Sequence, residues 1–357
     1  MHVLTRSARG VFAALAAAVL TVTLTAIPQI APAKAHDLGQ VMNFAGFVSG
    51  VDVAGHQRPG GAPIDWKTVA GPGGQQFAFV KASEGEGWKN VFYEEDILAA
   101  THAGMKVGAY HYARPGENPI VQARYFASVI NSSTELSLPP VLDLEVNEGL
   151  GPAELGAWTQ QFLAEVETQT GKRPMIYTYR YFWYERMNDS KAFTNYPLWL
   201  AAYQNQPPRP VGGWDKLSFW QRSDSGRVPG ISTAVDVNLF NGNAGQFEQF
   251  AAGDLAAYGG VLEFFQVPDS NELRVLEQDN TALVLAILGL AGGALAVPEL
   301  AAAAGNWGFN PTDAGNIAGY VQYLITAGEL PLDDLVRMVN GDYQIGDLLI
   351  LLNNATK

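Results

Sequence analysis

The sequence predicts an α/β fold: an irregular TIM-like (β/α) barrel of five βα units plus three further strands, followed by a small, mostly helical C-terminal region. Three observations predict it. Between residues 47 and 243, short apolar runs bounded by Gly and Pro alternate with polar amphipathic stretches, the pattern of strands joined by crossover helices. Eight such runs fall within roughly 200 residues, near the lower size limit of a closed eight-stranded barrel. After the fifth run the helical stretches shrink and loops rich in Pro, Gly and Asn replace them, so the closing part of the barrel is expected to be irregular.

The elements follow in order. Arg6 and Arg9 precede an uncharged Ala/Val/Leu-rich run over 11–27, and Ala33-Lys34-Ala35 fits a small-x-small cleavage site. Residues 1–35 therefore read as a secretory signal peptide rather than a membrane anchor. The barrel is assigned to 36–243. Its strands are expected at 47–53, 77–82, 106–112, 141–145, 175–179, 198–202, 217–220 and 235–239, all in a parallel sheet. Helices are expected at 93–103, where Glu94, Glu95 and Asp96 favour the first turn and Gly104 stops it, at 119–130, and at 152–170, which opens on Pro152 and ends at Gly171.

Residues 244–357 differ. They hold fourteen acids against Arg274, Arg337 and Lys357, net −11. The stretch 281–298 is uncharged and strongly apolar, but Gly289, Gly292, Gly293 and Pro298 interrupt it, so a buried helical hairpin is preferred to a membrane span. Residues 317–327 and 332–339 also read as helical. No motif in this region names its role. A wall polymer and a protein partner are its two candidate ligands, and its charge disfavours anionic polymers.

Composition narrows the function. The 357 residues carry a net charge of −13; without Arg6, Arg9 and Lys34, the exported chain keeps 19 basic and 35 acidic residues. That excludes the basic stripe a nucleic-acid partner requires. There is no cysteine, and the five histidines lack ligand spacing, so no disulfide, thiolate chemistry, metal or cofactor is implied.

The chemistry centres on Pro139-Pro140-Val141-Leu142-Asp143-Leu144-Glu145. Proline stops the preceding element, and the apolar run then carries two carboxylates at i and i+2, on one face of a strand. Adjacent half-buried acids differ in proton affinity, which suits acid–base work; two exposed acids at a strand end are the duller reading. In a parallel barrel, functional groups gather at the C-terminal strand ends. Asp52, Glu84, Tyr110, Tyr112, Asp143, Glu145, Tyr177, Trp199, Tyr203, Trp220, Gln221 and Asp236 all fall at or beside such ends. Carboxylates ringed by aromatics describe a sugar site, since sugar faces stack on rings and acids cut the glycosidic bond. Singly, Asp52 could cap a turn, Glu84 could hold one, Asp236 could be a buried structural acid, and any ring could be core.

These motifs carry a resemblance. Gly50-Val51-Asp52-Val53-Ala54-Gly55-His56-Gln57 with Ile64-Asp65-Trp66, then Phe79-Val80-Lys81-Ala82-Ser83-Glu84-Gly85, Gly108-Ala109-Tyr110-His111-Tyr112, Asp143-Leu144-Glu145, Ile176-Tyr177-Thr178, Leu198-Trp199-Leu200-Ala201, Phe219-Trp220-Gln221 and Val235-Asp236-Val237-Asn238 resemble, in order, glycoside hydrolase family 25, the Chalaropsis-type lysozymes. The resemblance covers about 47–243 and not the tail. It implies a secreted β-1,4-N-acetylmuramidase whose partner is the peptidoglycan glycan strand. Glu145 would be the general acid/base, Asp143 would steady the 2-acetamido group, and Asp52 and Asp236 would complete an acidic floor. Tyr110, Tyr112, Tyr177, Trp199, Tyr203, Trp220, Gln221 and Glu84 would contact substrate. Ala54, where the family commonly has serine, and the insertion Pro59-Gly60-Gly61-Ala62-Pro63 depart from the pattern and bear on subsite preference. Side chains two apart on one strand point the same way, roughly 6.6 Å along it, which suits acetamido assistance with retention better than a protein nucleophile across the ring. Inversion, with Asp143 or Asp236 activating water, is the runner-up. A non-catalytic wall-glycan-binding protein on the same barrel is the competing function.

Overall fold

The computed structural model describes residues 46–264 and 271–355, so the export segment read at 1–35 lies outside the described residues. Its strands are β1 (Ser49–Val53), β2 (Phe77–Glu84), β3 (Trp88–Lys89), β4 (Lys106–Tyr112), β5 (Val141–Asp143), β6 (Met175–Tyr179), β7 (Leu198–Ala201), β8 (Phe219–Gly226) and β9 (Val235–Phe240). β3 is a hairpin partner of β2; the other eight form a closed ring, shut where β1 pairs with both β2 and β9.

One expectation is corrected here. β9 runs antiparallel to both β8 and β1. The chain between Gly226 and Val235 is too short for the crossover of a dozen or more residues that a parallel return needs. Several strand bounds also move, two of them at the site. β5 ends at Asp143, leaving Glu145 just beyond it, and β8 continues past residue 220 to Gly226.

The expected helices are present as α2 (Tyr93–His102), α3 (Pro119–Asn131) and α4 (Pro152–Thr170), and short helices α1 (Trp66–Ala70) and α5 (Arg180–Glu185) join them. Local chemistry sets their ends. The Asn118 side chain accepts the N–H groups of Ile120 and Val121 ahead of Pro119, and α4 stops at Gly171, whose φ of 67° is left-handed.

The pleat sends alternate side chains inward. Phe77, Phe79, Trp199, Phe219 and Phe240 fill the lower barrel, with Phe79 stacked on Trp199 at 4.6 Å and Phe219 edge-on to Phe77 at 5.1 Å. Gly50 and Gly108 are glycines because a Cβ there would lie 2.3 Å from the Phe77 ring and 2.4 Å from the Phe79 ring, respectively. Helix α6 (Ala244–Ala251), capped by Asn243, seals the floor: Phe247 and Phe250 lie 5.0 and 5.4 Å from Phe240. The barrel's own packing therefore continues past residue 243.

The C-terminal region is a bundle: α7 (Asn271–Arg274), α8 (Thr281–Ala291), α9 (Val297–Asn306), α10 (Pro311–Ala327), α11 (Leu332–Val339) and α12 (Ile345–Asn354). α8 and α9 are the expected apolar hairpin, with Leu283, Val284 and Ile287 fully buried. Among the described residues no helix is long and apolar enough to cross a membrane. α12 is buried nearly all round, because it is sandwiched between the bundle and the barrel.

Candidate active site

The strand register assembles most of the site. Tyr112 of β4, Asp143 of β5, Tyr177 of β6 and Trp199 of β7 are successive cross-strand partners, so all four face the barrel axis. Asp52 of β1 is paired with Asp236 of β9, and Gln221 with Asn238. Because β9 runs backwards, Asp236 near its start reaches the same rim as the C-terminal ends of the other strands.

The tyrosines report how closely the acids converge. Burial of its hydroxyl end, then the charges of Asp52, Asp143, Asp236 and Glu145, hold the Tyr110 phenol well above its ordinary range. Tyr177 is raised by burial and then by Glu145, Asp143 and Asp52 among its neighbours; Tyr203 by burial and then by Asp224, Asp236, Glu145 and Asp52. The charges of all four predicted acids thus reach Tyr110, and Tyr110, Tyr112, Tyr177 and Tyr203 stay neutral phenols.

Asp52 is held from below. Its Oδ2 accepts Gln221 Nε2–H at 3.0 Å and Asn238 Nδ2–H at 2.7 Å. Gln221 Oε1 in turn accepts the Tyr177 hydroxyl at 2.8 Å, and Asn238 Oδ1 accepts Trp199 Nε1–H at 2.8 Å. A carboxylate receiving two amide donors on one oxygen is an oriented acceptor. Tyr177, Trp199 and Gln221 thus position Asp52, and Trp199 is packed against Phe79 rather than offered as a stacking platform.

Two predicted residues stand apart. Trp220 alternates with Gln221, so it faces outward, fully buried, donating Nε1–H to the Ala202 carbonyl at 2.7 Å. Glu84 sits in a rim ion cluster with Lys81, at 2.6 Å, and Arg114. Burial opposes its ionisation, yet these two cations bring its pKa below the ordinary value. His111 also faces outward, between Ser83 Oγ at 2.9 Å and Gln122 Oε1 at 3.0 Å, and is structural.

Two features of the mouth escape the sequence reading. Asp224 is buried and acts on Tyr203 together with Asp236, Glu145 and Asp52, from the part of β8 whose Arg-Ser-Asp-Ser composition reads as loop. The second is a cover: Asn354 of α12 donates Nδ2–H to Glu145 Oε2 at 2.5 Å, leaving Glu145 3% exposed. No local pattern signals a contact across 209 residues.

Residues 51–231, just over half of the chain, match the sequence model described as "Glycosyl hydrolases family 25". The chain belongs to glycosyl hydrolase family 25. Among family 25 relatives, an N,O-diacetylmuramidase of Arthroderma benhamiae is 32% identical over 239 residues, covering 64% of this chain and 97% of that one. Lysozyme M1 of Streptomyces globisporus is 34% identical over 207 residues, 55% of this chain and 69% of its own. The bacterial lysozyme from Streptomyces coelicolor superposes with a TM-score of 0.53 at 33% identity, covering 58% of this chain and 98% of that structure. The family match ends at residue 231, before the helical bundle begins.

Proposed function

We propose that this chain is a secreted, extracellular or wall-associated peptidoglycan hydrolase that cleaves the β-1,4 bond between N-acetylmuramic acid and N-acetylglucosamine. The observation that carries the reading is that strand pairing sets Asp52 against Asp236 and turns Asp143 toward the same axis, with buried Glu145 two residues further on, in a family 25 barrel. Relatives named as muramidases and lysozymes support the substrate class.

In the proposed mechanism Glu145 protonates the leaving glycosidic oxygen. The substrate's own 2-acetamido oxygen attacks the anomeric carbon from the opposite face. Asp143 accepts the acetamido N–H and stabilises the positive charge that develops on the ring it forms. Asp52, fixed by Gln221 and Asn238, and Asp236 add negative potential beneath the oxocarbenium-like transition state. Glu145 then takes a proton from water, which opens the intermediate with net retention. Glu145→Gln should abolish fragment release from purified peptidoglycan, and the parent's fragments should carry reducing-end N-acetylmuramic acid by mass spectrometry. Reducing-end N-acetylglucosamine, or lysis by Glu145→Gln at the parent rate, would defeat the assignment. The burial of Glu145 favours a second reading, a wall-glycan binder without turnover; it requires that no fragments appear.

A further inference from the structure

We infer that the C-terminal bundle is an autoinhibitory cap that holds the barrel in a latent state; this rests on the muramidase reading above. The cap touches the acid itself. Asn354 donates to Glu145, and the next residue back, Asn353, donates to Asp224 Oδ2 at 2.6 Å. An asparagine side chain ends in an acetamide, so α12 places in the mouth the same polar group that the substrate sugar carries. The cleft that remains, about 350 Å³, is walled by Glu145 and Tyr179 on one side and by Asp334, Leu351 and Asn354 on the other. A polymer must lie through the mouth on both sides of the bond to be cut, and the helix stands in that path.

The cap is tied down by a second set of contacts away from the acids. Asp334 of α11 accepts the Tyr181 hydroxyl at 2.7 Å and pairs with Arg186. Tyr343 donates to Glu185 at 2.7 Å, and the Glu277 carboxylate accepts the backbone N–H groups of Asn205 and Gln206 at 3.1 Å each. Gly346 lies so close to the loop after β7 that a Cβ would fall 2.2 Å from the Tyr203 carbonyl. These anchors are polar side-chain contacts around a packed seam in which Tyr343 also lies edge-on to Tyr181 at 5.0 Å, so removing an anchor loosens the seam without deleting its apolar packing. The contact on Glu145 is also only half satisfied, since Asn354 Oδ1 is buried with no hydrogen-bond partner among the described residues.

The test uses the full chain. Asp334→Ala removes the Tyr181 and Arg186 anchor, and Asn354→Ala removes the contact on Glu145; both substitutions lie in the bundle and leave every barrel side chain in place. Each variant is checked for parent-like circular dichroism and melting of the barrel. Two quantities are then measured: release of muropeptides from purified peptidoglycan, and binding of a soluble N-acetylglucosamine oligomer by tryptophan fluorescence. The double variant should bind the oligomer and release fragments about tenfold better than the parent, as expected when a closed state is shifted toward a minor open one. Unchanged or weaker binding and release in the folded variants overturns the cap. Stronger binding with no release in any variant leaves the cap standing and overturns the hydrolase reading instead.

Discussion

Asn238→Leu tests whether the carboxylate of Asp52 depends on the amides beneath it. The substitution keeps side-chain bulk and removes two hydrogen bonds. The first is the donor to Asp52 at 2.7 Å, and a bond to a charged acceptor contributes about 1.5–3 kcal/mol. The second is the acceptor for Trp199 Nε1–H at 2.8 Å; that donor is then buried and unsatisfied, at a cost of about 1–3 kcal/mol. Leucine recovers about 1 kcal/mol through added apolar burial, so the net loss should be about 3 kcal/mol. For a protein of ordinary stability that is a large share. Urea unfolding followed by tryptophan fluorescence should show a lower midpoint at unchanged slope. Turnover should fall at least about tenfold, because Asp52 loses the shorter of its bonds from Gln221 and Asn238. Gln221→Leu removes the 3.0 Å donor, and the double variant should lose less than the sum of the two, since both act through one carboxylate. A loss under about 1 kcal/mol, or full turnover in the folded Asn238→Leu protein, would refute the network as the support of Asp52.

Two further outcomes are expected. Burial, opposed by the Gln122 contact, lowers the His111 pKa from 6.5 to about 4. As pH falls, the unfolded chain takes up that proton first, so the stability associated with neutral His111 is complete above about 6.5 and is lost toward about 4, on the order of 3 kcal/mol in total. His111→Gln should therefore lose less stability than the parent between pH 7 and pH 5; equal losses in denaturant titrations would remove His111 as the cause. For stereochemistry, proton NMR of a hydrolysis in progress should show the β anomer first, and an initial α product would establish inversion.

Much of the site was legible because a strand has a period of two. Tyr110 and Tyr112, Asp143, and Asp52 on its own strand all follow from alternation once the strands are placed, whereas Glu145 lies just past the end of β5. The same rule separates Trp220 from Gln221, since neighbours on a strand cannot both face the axis. The reversed β9 was less visible, although the short Gly226-to-Val235 connection carried the signal. Asp224 was hidden by its setting: polar residues on the extension of β8 look like loop until a second layer covers them, and that layer lies in the tail. The contact of Asn354 with Glu145 has no sequence signature, because it joins two surfaces rather than two positions in a repeat.

The descending β9 also orders events along the chain. It delivers the polypeptide to the underside of the ring, where Phe247 and Phe250 plug the base. The helix that reaches Glu145 comes roughly a hundred residues later. As the protein emerges from its amino end, the ring and its plug can complete themselves while the upper opening is still bare. The helix that covers the acid is thus the last element of the chain to be made, after every strand of the barrel.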